Sequence, residues 1–80
     1  MTFNEWLDTF IEEKGFDTDE LIEVEGASGL NVMPLECLID AIKAATPEEQ
    51  TAIQKQIVRL DFHNRPVMPY LQHLSQAIAI

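Results

Sequence analysis

The clearest pattern in the chain is an apolar stripe near its start. Phe3, Trp6, Leu7, Phe10 and Ile11 follow the i, i+3, i+4, i+7, i+8 spacing of one buried helix face, with Glu5, Asp8 and Glu12 opposite. Thr2 stands at the N-cap and Glu5 three residues on, as in a capping box. Gly15 fits the left-handed residue that ends a helix, and Phe16 can fold back over the last turn. The spacing predicts a helix over 3–14.

The period then changes. Ile22 and Val24 alternate with Glu23 and Glu25, as in a strand with one wet face. Gly26-Ala27-Ser28-Gly29 reads as a turn, and residues 30–33 can pair back as a second strand. The competing pattern starts a short helix at Asp17, capped by Asp17 and Glu20. The hairpin is preferred, and it needs another element to lie on.

Helical spacing returns with Leu35, Leu38, Ile39 and Ile42, and Pro34 suits the first turn, where its missing N–H costs nothing. Thr46-Pro47-Glu48-Glu49 combines an N-cap, a first-turn proline and a glutamate at the capping-box position. Ile53, Ile57 and Leu60 face inward from the helix that follows. Residues from Asn64 to Pro69 open a last helix with Val67, Tyr70, Leu71, Leu74 and Ile78 on its face. The predicted helices span 34–45, 47–60 and 66–78. The expected core is Trp6, Phe10, Leu38, Ile42, Ile53, Ile57, Leu71 and Leu74. The fold class expected is α+β and mostly helical: four short helices, with a small β-hairpin between the first and second. The alternative is an all-α small bundle.

At 80 residues, 46% of them hydrophobic, the chain matches one thin-cored globular domain covering residues 1–80. No apolar run reaches membrane-span length. The one cysteine, Cys37, allows no internal disulfide, and a reducing cytoplasm is the simplest setting.

Charge changes the picture more. The net charge is −9, and it is lopsided. Residues 1–40 hold eleven of the fourteen carboxylates and, as cations, Lys14 alone, a local charge of −10; residues 41–80 carry +1. Phosphate contacts need clustered cations, so direct binding to nucleic acid or to an anionic membrane is not expected.

Candidate chemistry is sparse. Gly26-Ala27-Ser28-Gly29 lacks the closing glycine of a nucleophile elbow, since position 30 is Leu. A calcium loop begun at Asp17 would place Leu21, Ile22 and Ser28 where ligands and a glycine are required. His63 and His73 are ten residues apart and Cys37 is remote from both, so no close zinc-ligand pair exists. His73 is expected to pack at the margin of the last helix's apolar face. Nothing in the spacing joins Asp61, His63 and Ser75 into a catalytic set, and three scattered glycines make no phosphate loop. Neither enzyme activity, metal nor cofactor is expected.

Two apolar features exceed a minimal helical plan. Cys37, Ala41 and Ala44 form a small-residue face on the second helix, and Val58 with Phe62 points away from Ile57 on the third. Packing beneath the hairpin or the terminal helix is the preferred expectation for both; self-association of a homodimer is the other.

Functionally, the acidic first half is the outstanding feature. Carboxylates three and four residues apart lie about 5–6 Å apart at Cβ. Glu5, Asp8 and Glu12, aided by Glu23 and Glu25, are expected to bind a basic protein surface, including one that otherwise holds nucleic acid. In size and charge the chain resembles the small acidic inhibitors and DNA mimics encoded by phages, plasmids and other mobile genetic elements. That resemblance covers bulk properties and no motif. It implies a protein-binding inhibitor; a homo-oligomeric accessory or structural protein is the alternative.

Overall fold

The fold follows from how each helix end is satisfied. A computed structural model describes residues 1–26 and 29–74. Its elements are α1 (Phe3–Lys14), β1 (Leu21–Gly26), β2 (Gly29–Pro34), α2 (Leu35–Lys43), α3 (Pro47–Phe62) and α4 (Met68–His73). The described chain is thus α+β and mostly helical, with an antiparallel hairpin between its first and second helices.

At the start of α1 the Thr2 hydroxyl accepts from the Glu5 N–H at 3.2 Å. At its end Gly15 adopts φ 71°, and the Phe16 N–H reaches back to the Ile11 carbonyl, the paired closure a left-handed residue permits. Phe16 then meets the edge of Phe10, with ring centroids 6.4 Å apart. The α3 capping box is complete: the Thr46 hydroxyl accepts from the Glu49 N–H, and the Glu49 carboxylate accepts from the Thr46 N–H, both at 3.2 Å.

The junction of β2 and α2 departs from the sequence expectation. Pro34 is the last residue of β2, paired with Leu21, and it caps α2 in an extended conformation rather than forming its first turn. Proline offers no side-chain acceptor to the free amides behind it. Those amides instead donate to the preceding loop, Leu35 N–H to the Glu20 carbonyl and Glu36 N–H to the Thr18 carbonyl, each at 2.9 Å. The loop is held in shape by Asp17, whose carboxylate accepts from the Asp19 N–H. The short helix considered from Asp17 is absent, because these backbone groups are committed to α2.

The second boundary that moves lies between α3 and α4. Asn64 adopts φ 54°, and the Arg65 N–H bonds the Leu60 carbonyl at 2.8 Å. Asn64 therefore ends α3, where asparagine tolerates the left-handed region, and does not begin α4. α3 runs two residues further than expected, to Phe62, and α4 begins at Met68. The expected continuation of α4 to residue 78, with Ile78 on its face, lies outside the described residues, as do Ala27 and Ser28 of the hairpin turn.

The hairpin register pairs Ile22 with Met33, Glu23 with Val32, Val24 with Asn31 and Glu25 with Leu30. Ile22 and Val24 are buried while Glu23 and Glu25 are exposed, so the alternation read from the sequence sets the two faces. The buried residues form one cluster drawn from α1, β1, α2, α3, the Val67 approach and α4. Leu7, Val24, Leu38, Ile42, Ile57 and Leu71 are fully enclosed. Of the expected core, Trp6 and Leu74 are only half-buried at its rim. Trp6 covers Phe10 in a stacked pair, centroids 5.7 Å apart. No helix among the described residues is long and apolar enough to cross a membrane.

Candidate functional site: an acidic groove between α1 and α2

The first-half carboxylates do not form one continuous face. Asp8 and Glu12, four apart on α1, line a groove of about 300 Å³ whose other wall is Glu36, Asp40 and Lys43 of α2. Ile11 of α1, Ile39 of α2, and Phe16 and Thr18 of the loop after α1 complete its lining. Each helix contributes its acids at i, i+4 spacing, so carboxylates of both helices line one groove. Glu5 continues the α1 row toward the N-terminus and is exposed, outside the groove lining.

The groove already holds one cation. The Lys43 Nζ lies 2.6 Å from Asp8 Oδ1, tying α2 to α1. Lys14, the lone cation of the first half, turns away and pairs with Asp61 of α3 at 2.5 Å. Among the described residues, Glu12, Glu36 and Asp40 have no ion pair. Three carboxylates beside one neutralised pair leave a site of net negative charge.

Glu23 and Glu25 stand elsewhere. With Leu30 of β2 and Pro69, Gln72 and His73 of α4 they line a separate depression of about 230 Å³. His73 Nδ1 lies 3.6 Å from Glu25 Oε2, and its side chain is largely exposed, not packed at an apolar margin. The five partner-binding residues named from sequence therefore divide between two surfaces. Glu36 and Asp40, which the sequence reading passed over, complete the first.

The residues considered for self-association are mostly surface residues. Cys37 and Ala44 are exposed and Ala41 is half-buried, so this face does not pack beneath the hairpin. Val58 and Phe62 are 51% and 82% exposed, likewise uncovered by any described element. No group of three or more His, Cys, Asp or Glu side chains among the described residues is placed to hold a metal ion. His63 is exposed and lies edge-on to Phe62, and Ser75 is outside the described residues.

Burial raises the Tyr70 phenol above its ordinary value, an effect of desolvation on α4 and not of any neighbouring charge. No family model, curated protein or solved structure matches the chain.

Proposed function

We propose that the protein is a non-enzymatic interaction module that receives Lys or Arg side chains of a partner protein in the α1–α2 groove. One observation carries this reading: Asp8, Glu12, Glu36 and Asp40 line a single groove in which a lysine ammonium, Lys43, is already bound at 2.6 Å. A partner's cations would meet Glu12, Glu36 and Asp40, while their aliphatic stems cover Ile11 and Ile39. Glu5 extends the row, and Glu23 and Glu25 add to the field that steers a basic surface toward it. If that basic surface normally holds nucleic acid, its occupation displaces the nucleic acid, and the module acts as an inhibitor by mimicry. The lone, exposed Cys37 suits a reducing cytoplasm.

The test uses an Arg/Lys-rich helical peptide as probe, with affinity measured by fluorescence anisotropy from low to moderate salt. The triple variant Glu12→Gln, Glu36→Gln, Asp40→Asn should weaken binding and flatten its salt dependence. A control triple of equal charge change, Glu13→Gln, Asp19→Asn, Glu48→Gln, should retain most of the affinity. Equal losses in the two triples would reduce the effect to bulk charge and sink the groove as a site.

A further inference from the structure

α3 carries a second stripe opposite its buried one. Lys55, Val58, Arg59 and Phe62 recur at i, i+3, i+4 and i+7, with Val58 and Phe62 exposed. Neither Lys55 nor Arg59 has an ion pair among the described residues, although the chain carries fourteen carboxylates. The outer face of the hairpin has the opposite charge on the same apolar background. Its register sets Glu23 beside Val32 and Glu25 beside Leu30, and Leu30 and Val32 are each 63% exposed.

The two faces also match in spacing. Val58 and Phe62 are about 6 Å apart along a helix axis. Leu30 and Val32 are about 7 Å apart along a strand. We infer that the α3 stripe of one copy docks on the outer hairpin face of a second copy. Phe62 and Val58 cover Leu30 and Val32, while Arg59 and Lys55 meet the acidic edge at Glu23, to whose field Glu25, already beside His73, adds. Like-with-like docking is disfavoured, since α3 on α3 gathers cations and hairpin on hairpin gathers carboxylates. The contact is heterologous: each copy uses one face and leaves the other open, so assembly continues past the dimer unless a ring closes. This surface shares no residue with the α1–α2 groove.

Sedimentation velocity across a concentration series tests it. The wild type should associate progressively, and less so at high salt. Phe62→Asp removes one face and Val32→Lys the other; each alone should weaken self-association about tenfold or more. Mixed in equal amounts, the two variants should form a one-to-one dimer and stop, because one keeps its hairpin face and the other its α3 face. Circular dichroism checks folding, and Val58→Asp or Leu30→Lys replaces either variant that fails it. A wild type that stays monomeric throughout overturns the inference. So does a mixture that fails to associate, or one face's variant leaving assembly unchanged, the mark of an isologous contact.

Discussion

Phe10 and Phe62 are the same side chain in opposite environments, and truncating each should separate core from surface. Phe10 is 8% exposed, stacked on Trp6, edge-on to Phe16 and capped by Lys14, whose Nζ lies 5.6 Å from the ring centroid. Phe62 is 82% exposed, with His63 as its ring neighbour. Phe10→Ala removes a buried aromatic and its ring pairs, for a cost of about 3–5 kcal/mol. A domain of this length has a total stability of roughly 4–12 kcal/mol, so the loss is about a quarter of the whole or more. Phe62→Ala should stay within about 0.5 kcal/mol, measured where the protein is monomeric. Urea unfolding followed by far-ultraviolet circular dichroism reads both midpoints without relying on Trp6, which the mutation itself disturbs. A Phe10→Ala cost below about 1 kcal/mol, a value typical of ordinary surface and minor changes, would refute the assigned core. So would equal costs at the two positions.

Thr46→Ala removes the hydroxyl acceptor of the α3 capping box and should cost about 1 kcal/mol by the same unfolding measurement. Tyr70, the one tyrosine, should titrate above about 10 in the native protein and fall back to about 10 in urea, followed by phenolate absorbance. Its folded pKa is raised, so the unfolded chain loses this proton first; stability is intact below the unfolded pKa and declines as pH rises through the folded one. Tyr70→Phe should flatten that alkaline decline. Lys43→Gln breaks the pair with Asp8 at a cost of roughly 0–1 kcal/mol, as for an ion pair whose carboxylate stays in solvent, yet should tighten binding of a basic peptide by releasing that carboxylate. Weaker peptide binding in that variant would count against competition between Lys43 and the partner.

Local chemistry was legible in the sequence wherever the partners of a helix end lie within a few residues. Thr2, Gly15 and Thr46-Pro47-Glu48-Glu49 fixed the ends of α1 and the start of α3 for that reason. The hairpin was legible from the alternation of Ile22 and Val24 with Glu23 and Glu25. Pro34 does not form the first turn because the acceptors for the amides that follow it, Thr18 and Glu20, come from the loop before β1, distant in sequence and brought alongside by the hairpin. Asn64 carried a usable signal, as asparagine is favoured where a helix ends left-handed, but the two following prolines drew the boundary toward α4. The groove was half visible. Asp8 and Glu12 were named from α1 alone, whereas Glu36 and Asp40 join them only through the packing of α2 against α1. Their i, i+4 spacing, with Lys43 one turn from Asp40, was the signal available.

Backbone amide chemical-shift mapping can locate the cation-binding surface residue by residue, and between α1 and α2 is where it is expected. An Arg/Lys-rich helical peptide titrated into isotopically labelled protein should move the resonances of Asp8, Glu12, Glu36, Asp40 and Lys43 first and furthest. Shifts spread evenly over every acidic segment, or centred on Glu23 and Glu25 of the hairpin, would contradict it.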